Sequence, residues 1–514
     1  MTNELQLTTQ QLAALEAVLP AYMLSKRWFR AKAYTIASVQ IVDAYQLPAS
    51  YDLRLTIARV NYEQADPDRY VLLLRFVSAD DDSLSAIGDV LSEIARLPDG
   101  LVVYDATADP AVALGLLSAI RVSGGQSGAI SAWRTGAFAS LDPGENVVQP
   151  SLMGVEQSNT SVKYGDALIL KLFRRLEDGI SPELEIGRFL AERGFRNTPP
   201  LAGAIEYVPG DVAGEPQTLA ILQGFVPNQG DAWSYILRSL EEYYGATDDG
   251  RQTADDPGAS TYGLRATIYD APHLLGQRTA QMHATLASDP DDPAFAPEHF
   301  TAEYQAAMHG SMRALTEEAF RLLRGRVERL PDEARDEAAA ILLQQDTILA
   351  RFDPLLTHHV KAMRTRCHGD YHLGQVLWTG NDFVIIDFEG EPVRTLAERR
   401  LKHSPLKDVA GMLRSFHYAA YAGMFDSIDK RGLQEQIELR ANSWYKQVSA
   451  TYLRSYLTTA GNASWLPATE ADLHLLLDAH LLEKAVYELL YEINMRPDWV
   501  QIPLKGILQL QSDQ

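Results

Sequence analysis

Residues 366–375 read Arg-Cys-His-Gly-Asp-Tyr-His-Leu-Gly-Gln, and residues 384–389 read Val-Ile-Ile-Asp-Phe-Glu. The first stretch carries two glycines and is typical of a loop. Residues 383–386 form a short apolar run, which predicts a buried strand that ends just before an acid. An acid, an amide five residues later and a second acid twelve residues after the amide are thus placed in order: Asp370, Gln375 and Asp387.

This order of side chains suits phosphoryl transfer. A loop Asp can take the proton of an acceptor hydroxyl, while an amide and a second Asp at a strand end hold the metal on the nucleotide phosphates. We therefore predict Asp370 as the catalytic base, and Gln375 and Asp387 as oxygen ligands of Mg²⁺. An Asp in such a loop is otherwise a common turn former, and the other two residues decide against that. Glu389 is either a further metal ligand or a structural acceptor.

A lysine inside an apolar strand is the second candidate. Lys171 lies between Leu170 and Leu172, where a charge must reach solvent or find a partner. The functional interpretation is a phosphate-binding lysine held by an acid on the following helix, with Glu185 favoured and Glu183 the alternative. That helix is predicted from Ser181 as N-cap and Pro182 in the first turn. The alternative is an outward lysine on an edge strand.

The stretch at 368–377, followed by Asp-Phe-Glu-Gly-Glu-Pro at 387–392, resembles the bacterial maltokinases, which are similar to aminoglycoside phosphotransferases and, more distantly, to protein kinases. Further stretches resemble that family's signatures in the family's order: 28–32, 156–161, 168–173, 404–412 and 494–499. The resemblance implies an α+β, bilobal kinase-like fold with a sheet-rich N-lobe, an extra N-terminal cap and a helix-rich C-lobe. It also implies an ATP- and Mg²⁺-dependent sugar kinase that converts maltose to maltose 1-phosphate, on the route from trehalose to α-1,4-glucan.

The nucleotide contacts follow from the same resemblance. No Gly-x-Gly-x-x-Gly precedes Lys171, and residues 156–161 take its place. The resemblance implies that Ser158 and Thr160 help to cradle phosphates, as backbone amides and hydroxyls can. Kinase geometry carried over from the family places adenine at a hinge over residues 223–226, which gives Gln223 and Phe225 as nucleotide-binding residues.

The acceptor site is expected between the Asp370 loop and a C-terminal helix. Tyr487 and Tyr491 are one helical turn apart and can form a stacking platform for a disaccharide. The alternative is that these rings only pack the helical lobe, since aromatic residues dominate cores. His372 and Arg394 flank the loop and are further candidates for sugar contacts.

The chain is predicted to divide into a cap subdomain (1–100), a nucleotide-binding N-lobe (101–225) and a helical C-lobe with the catalytic loop (226–514). The N-lobe is expected to be strand-rich with one helix, from about Pro182 to Arg193. Amphipathic patterns predict helices in the C-lobe, including one over 331–365 and one over 470–496. The polar, acidic stretch 245–262 is predicted to be a loop.

Charge and cysteine content limit which partners the protein can bind and whether it can form a disulfide. There are 46 Lys and Arg against 68 Asp and Glu, a net charge of −22, which disfavours nucleic acid and anionic membranes as partners. Cys367 is the single cysteine, so no intramolecular disulfide forms; we interpret it as a buried residue rather than a nucleophile. No signal peptide or membrane span is visible in the sequence, so the expected location is cytoplasmic. A trehalose synthase partner would be a separate chain, because no room remains for a (β/α)₈ domain.

Two alternatives stay open. One is a kinase of another acceptor, such as glucosamine or an aminoglycoside, whose positive charge an acidic cleft would suit. The other is an inactive sugar-binding or regulatory module, which the complete set of Lys171, Asp370, Gln375 and Asp387 argues against.

The cluster of Trp28, Phe29 and Lys32 allows two interpretations. Large aromatics usually serve packing, so the rings can pin the cap helix to its strands. The other interpretation is that the cluster docks the cap against the nucleotide lobe and couples it to ATP.

Overall fold

The computed structural model describes the chain except residues 1–6, 49, 82–86, 89, 123–125, 128, 143, 145–148, 154–158, 210–214, 246–261, 432–433 and 513–514. It divides into two compact units. Unit 1 comprises residues 1–192 and 199–227, and unit 2 comprises residues 193–198 and 228–514. The predicted acidic loop at 245–262 lies almost wholly outside the described residues.

The first sheet of unit 1 is antiparallel and follows a helix. Helix α1 (Thr9–Ser25) begins with a capping box in which the Thr8 hydroxyl accepts from the Gln11 N–H. The strands of the sheet are β1 (Ile36–Gln46), β2 (Leu53–Tyr62), β3 (Asp68–Ser78), β4 (Ser92–Leu97) and β5 (Leu101–Asp105). Their spatial order is β1-β2-β3-β5-β4. The alternating burial along β1 shows one face against a core and one face in solvent.

The second sheet of unit 1 carries Lys171. Its strands are β6 (Gln126–Ser127), β7 (Ile130–Arg134), β8 (Pro150–Leu152), β9 (Asn159–Tyr164), β10 (Leu168–Phe173), β12 (Leu201–Tyr207) and β13 (Gln217–Gly224), in the order β6-β7-β12-β13-β10-β9-β8. Strand β10 therefore lies between β13 and β9, and Lys171 is opposite Ile221 on one side and Ser161 on the other. The interpretation of Lys171 as a residue of an edge strand is thus wrong. The two-residue strand β11 (Arg175–Leu176) joins the first sheet by pairing with β3.

Unit 1 contains more helix than predicted. Besides α4 (Pro182–Glu192), it has α2 (Pro110–Arg121) and the short α3 (Phe138–Leu141). The signal for α2 is present in the sequence, because Asp109 accepts from the Ala111 N–H as N-cap and Pro110 takes the first helical position. Side chains of α2 such as Leu116 and Leu117 pack in one core with Leu55 of the first sheet and Leu170 of the second. The boundary between cap and N-lobe at residue 100 stays a prediction.

Unit 2 is built from helices. They are α5 (Ala232–Gly245), α6 (Tyr262–Leu286), α7 (Ala302–Arg326), α8 (Asp332–Leu343), α9 (Gln345–Ala350), α10 (Pro354–Thr357), α11 (Leu396–Arg399), α12 (Leu406–Arg431), α13 (Gln434–Ala460), α14 (Glu470–Met495) and α15 (Gln501–Ser512). The predicted helix over 331–365 is wrong as one element. It breaks at Gln344 and again between Ala350 and Pro354, and the last of these short helices ends at Thr357.

Two short hairpins complete unit 2. Strands β14 (Glu298–His299) and β15 (Met363–Arg364) pair with each other, as do β16 (Val376–Trp378) and β17 (Phe383–Ile385). The second hairpin separates Gln375 from Asp387 and is the strand context predicted for the second acid. Within the described ranges, no helix combines the length and apolarity needed to cross a bilayer.

Candidate active site

The loop that carries Asp370 is held by a buried carboxylate on the following helix. Asp408, in the first turn of α12, accepts hydrogen bonds from the N–H groups of His368 at 2.7 Å and Gly369 at 3.0 Å. Burial opposes ionisation of Asp408, but His283 at 3.1 Å and these contacts lower its pKa below the ordinary value. His283 is fully buried and its other ring nitrogen lies 2.9 Å from the Tyr456 hydroxyl, as expected for a satisfied core histidine.

Asp370 itself is partly exposed and paired with a lysine. Its Oδ1 lies 3.3 Å from Lys484 Nζ, with about a fifth of each side chain accessible. Burial alone would raise the pKa of Asp370, but Lys484 and then His372 outweigh it and lower that pKa to about 2. The carboxylate is therefore ionised at neutral pH, as a proton acceptor must be.

The metal-binding candidates come together at the end of β17. His368 Nε2 lies 2.9 Å from the Ile386 carbonyl, which ties the catalytic loop to this strand. Gln375 Nε2 donates to Asp387 Oδ2 at 2.9 Å. Carboxylate oxygens of Asp387 and Glu389 lie within 4.8 Å of each other, so both can reach one small cation. These oxygen donors fit Mg²⁺, and the arrangement favours Glu389 as a ligand.

Asp387 has an unusual backbone. Its φ is +64°, one of two positive values among described non-glycine residues. Asp tolerates this left-handed conformation better than most residues, but such outliers concentrate at functional sites.

In unit 1, the ion pair of Lys171 is formed with the alternative acid. Lys171 Nζ lies 2.9 Å from Glu183 Oε2, and the Glu183 side chain is only 4% exposed. The sequence favours Glu185, fourteen residues after Lys171, with Glu183 as the alternative. Two residues along a helix rotate a side chain by about 200°, so Glu183 and Glu185 point to different faces of α4. The role of Glu185 in nucleotide binding stays a prediction that this contact does not support.

The other predicted nucleotide contacts have mixed outcomes. Ser158 lies outside the described residues. The Thr160 hydroxyl accepts a hydrogen bond from Arg174 Nε at 2.8 Å, so it holds a protein side chain. Gln223 is opposite Ile169 near the end of β13, and the Phe225 N–H donates to the Ala167 carbonyl at 2.8 Å. The nucleotide-binding roles of Thr160, Gln223 and Phe225 stay predictions.

Comparisons with known proteins add to this geometry. The family model of the maltokinase N-terminal cap domain matches residues 22–109, and that of the phosphotransferase enzyme family matches residues 148–390. Residues 148–390, a little under half of the chain, thus match the phosphotransferase enzyme family. The cap match includes residues 28–32, the N-terminal stretch that resembles maltokinases. The phosphotransferase match includes the Lys171–Glu183 ion pair of unit 1 and the acids Asp370, Asp387 and Glu389 of unit 2.

Two relatives of this phosphotransferase are named glucosamine kinase. That of Streptacidiphilus jiangxiensis is 28% identical over 353 residues, which cover 68% of this chain and 70% of the relative. That of Mycolicibacterium smegmatis is 28% identical over 359 residues, which cover 68% of this chain and 76% of the relative. A solved structure of a glucosamine kinase in complex with glucosamine, ADP and inorganic phosphate covers 98% of this chain and 100% of its own, with a TM-score of 0.66 at 21% identity. This likeness confirms the predicted kinase-like fold with an N-terminal cap, and the relatives support a sugar kinase.

The phosphotransferase has a cavity of about 220 Å³ in unit 2, beside the catalytic loop. It extends from α7, which contributes Tyr304 and Met308, to Gly369 and α14, and a smaller pocket that includes Lys484 and Tyr487 shares several of its wall residues. Of the predicted acceptor contacts, Tyr487 lines the smaller pocket and Arg394 lines both. These two pockets form the candidate acceptor site.

The other two acceptor candidates lie elsewhere. Tyr491 lines neither pocket; it is 43% exposed and its ring lies 5.5 Å from the Arg496 guanidinium. The His372 ring accepts from the Gly374 N–H at 3.1 Å and lowers the pKa of Asp370, so it supports the loop. Their roles as sugar contacts stay predictions without support from these positions.

Sequence reasoning missed Lys484 and Asp408. Lys484 precedes Tyr487 by three residues on α14 and so shares its helical face, a signal that was available. Asp408 lies inside the stretch 404–412 that carries the family resemblance, but no local pattern ties it to a loop almost forty residues earlier.

Proposed function

We propose that this phosphotransferase is an ATP- and Mg²⁺-dependent kinase that phosphorylates the anomeric hydroxyl of maltose. Lys171, held by Glu183, binds nucleotide phosphates. Gln375, Asp387 and Glu389 hold Mg²⁺, which neutralises charge on those phosphates when bound. Asp370 orients the acceptor hydroxyl and takes its proton late in the transfer. These roles are supported by the contacts above and by the family.

One observation carries the preference for a neutral acceptor. The carboxylates of the candidate acceptor site already have basic partners, of which Arg394, Lys407 and Lys484 are cations. Glu391 lies 3.1 Å from Arg394 and 3.6 Å from Lys407, and Asp370 is paired with Lys484. Glu483 lies 3.1 Å from His480, and although burial opposes it, His480 and Lys407 lower its pKa to about 2. An ammonium group would have to displace one of these cations, whereas a polyhydroxyl sugar hydrogen-bonds to both signs of charge.

The size of the site supports a disaccharide. The smaller pocket reaches Gly369, Lys484 and Tyr487 beside Asp370, and the 220 Å³ cavity continues from it towards α7. We place the sugar in this cavity, with its reducing end directed towards Asp370 through the smaller pocket. The further predictions that the product enters α-1,4-glucan synthesis from trehalose-derived maltose, and that the enzyme is cytoplasmic, rest on the family resemblance.

Glucosamine is the second candidate acceptor. The names of the two relatives favour it, and so do the acids Glu391 and Glu483 on the cavity wall. In this alternative one of these carboxylates exchanges its cation for the ammonium group of the amino sugar.

An acceptor comparison tests the proposal. Purified enzyme with ATP and Mg²⁺ is assayed with maltose, glucosamine and glucose, and ³¹P NMR identifies the phosphorylated position. We expect maltose to exceed the other two in kcat/KM by at least tenfold, with phosphate on the anomeric carbon. A higher kcat/KM for glucosamine contradicts the maltose proposal and leaves a sugar kinase of different acceptor.

The variant Glu391→Gln sharpens this comparison. It keeps the shape of the side chain and removes the charge. A neutral disaccharide should lose little affinity, whereas a cationic acceptor bound by this carboxylate should lose more than tenfold, as charge-assisted hydrogen bonds are worth about 1.5–3 kcal/mol. Glu317→Gln, at a half-exposed acid that pairs with Arg313 and lines neither pocket, is the matched control.

A further inference from the structure

The segment that connects Lys171 to the helix of Glu183 is part of the cap sheet. Strand β11 pairs with β3, with Arg175 opposite Tyr70 and Leu176 opposite Arg69. The Val71 N–H also donates to the Arg174 carbonyl at 2.8 Å. Strand β3 lies within residues 22–109, the part that matches the cap family. The chain therefore adds residues to the cap sheet on its way from the phosphate-binding lysine to the acid that holds it.

Arg174, three residues after Lys171, is the centre of this junction. Its side chain is 1% exposed, and its three guanidinium nitrogens each donate to a different part of unit 1. Nε donates to the Thr160 hydroxyl on β9 at 2.8 Å, one terminal nitrogen to the Val71 carbonyl at 3.3 Å, and the other to the Thr107 hydroxyl at 2.8 Å. Thr160 is opposite Leu172 on β10, so Arg174 bridges the Lys171 strands to the cap.

The charge of Arg174 is balanced from the cap side. Burial lowers the pKa of Arg174, and the nearby negative charge of Asp105 opposes that shift. The Thr107 hydroxyl donates to Asp105 at 2.5 Å while it accepts from Arg174, so it links the two ions with consistent hydrogen-bond polarity. Lys26, at the end of α1, is 2.7 Å from the same carboxylate.

The aromatic cluster noted in the sequence contributes here. The Trp28 ring lies 5.5 Å from the Arg174 guanidinium and 5.8 Å from the Tyr70 ring. Phe29 is buried in the cap core, 5.1 Å from Tyr70. The two interpretations of the cluster therefore divide between its members, because Phe29 packs the cap and Trp28 contacts the residue that leads back to Lys171.

We propose that Arg174 is a positioning residue through which the cap sets the geometry of the Lys171–Glu183 pair and so the affinity for nucleotide. The inference rests on the proposed role of Lys171 and Glu183 in nucleotide binding. A phosphate-binding lysine acts only when its partner acid holds it in place. Because Arg174 follows Lys171 by three residues and is hydrogen-bonded both to Thr160 on β9 and to Val71 and Thr107 of the cap, a shift of the cap moves the backbone next to Lys171.

The test uses Thr107→Val in the full chain. Valine keeps the shape of threonine but cannot bridge Arg174 and Asp105. We expect the Kd for ADP with Mg²⁺, measured by titration calorimetry, and the KM for ATP to rise about 2- to 12-fold, the range of one hydrogen bond. The KM for the acceptor sugar should stay within about twofold, because the acceptor site belongs to unit 2.

Thr56→Val is the matched control. Thr56 is fully buried on β2, and its hydroxyl has no hydrogen-bond partner among the described residues, so the same chemical change is made in the cap without touching Arg174. We expect no change in nucleotide affinity. Equal effects of both variants, or an unchanged ADP Kd in a folded Thr107→Val protein, overturn the proposal.

Arg174→Lys gives a second measurement. Lysine keeps the charge but has no planar fork, so it cannot serve three acceptors. We expect Arg174→Lys to bind ADP more weakly than Thr107→Val does. A variant that loses thermal stability but keeps its affinity for ADP contradicts a positioning role. If the enzyme phosphorylates no sugar, the proposed acceptor is refuted. ADP binding requires no acceptor, so the ADP affinities of these variants still decide the role of Arg174. A wild-type protein that binds no ADP overturns both.

Discussion

The Asp370 loop and the Lys171 strand are held in place by different means. The loop donates two backbone hydrogen bonds to one buried side chain, Asp408, inside the helical unit. The strand is paired on both sides in a sheet, and the segment after it is incorporated into the cap. A single carboxylate thus controls one half of the chemistry, whereas many weak contacts spread over a hundred residues control the other.

This difference implies different sensitivities to mutation. A loop held by one side chain should fail when that side chain is changed. Because many contacts hold the strand, one substitution such as Thr107→Val should weaken nucleotide binding by only a small factor. The substitutions below separate the two behaviours.

The largest effect is expected from Asp370→Asn. The amide keeps the shape of the carboxylate but cannot take the acceptor proton, so kcat should fall about 10²- to 10⁴-fold. ADP affinity and the unfolding midpoint should stay close to wild type, since the residue is partly exposed and lies at the loop surface. Wild-type turnover in a folded variant would exclude Asp370 as the base.

Asp408→Asn should come next and should act on both stability and turnover. The neutral amide weakens the contact with His283 and both backbone contacts, in a site that is 1% exposed. We expect a loss of about 2–4 kcal/mol in the free energy of unfolding, measured with urea. Asp332→Asn, at an ion-paired but 88% exposed acid, should change it by less than about 0.5 kcal/mol and serves as control.

Lys484→Met should change the pH dependence. Asp370 has a pKa of about 2 because Lys484 and the loop histidines outweigh burial. Without Lys484, burial is less well compensated and the pKa of Asp370 should rise, so the acid limb of kcat/KM should move to higher pH. Asp387, Glu391 and Glu488 also face this group of residues and are unchanged in the variant. Lys484→Arg retains the charge and should restore the wild-type profile; an unmoved acid limb in Lys484→Met would contradict the pairing.

The smallest effect is expected from the two tyrosines of α14. Tyr487→Ala should raise the KM for the acceptor about 2- to 12-fold, the value of one aromatic contact, because Tyr487 lines the pocket beside Asp370. Tyr491→Ala should change it less than twofold. The reverse ranking would restore the sequence-based expectation for Tyr491.

The sequence predicted most of the catalytic loop because its signals are local. Asp370, Gln375 and Asp387 lie within eighteen residues, and the loop and strand around them have the expected forms. The sequence left two acids, Glu185 and Glu183, as partners for Lys171, because spacing alone does not tell which face of α4 meets the sheet; the structure shows an ion pair with Glu183. Asp408 and Arg174 act through contacts that join distant parts of the chain, and no spacing rule predicts those.

The pairing of β11 with β3 also bears on how the cap folds. On the side of β3 that faces β5, the ladder covers Leu74 to Ser78, and the Val71 N–H is bonded instead to Arg174, some hundred residues later. A chain that ended at residue 109 would expose this part of the strand edge, and exposed edges promote association with other chains. During synthesis from the N-terminus, the cap sheet is likewise completed only after β10 and β11 have emerged. The cap is therefore a unit of sequence comparison but not an independent unit of folding.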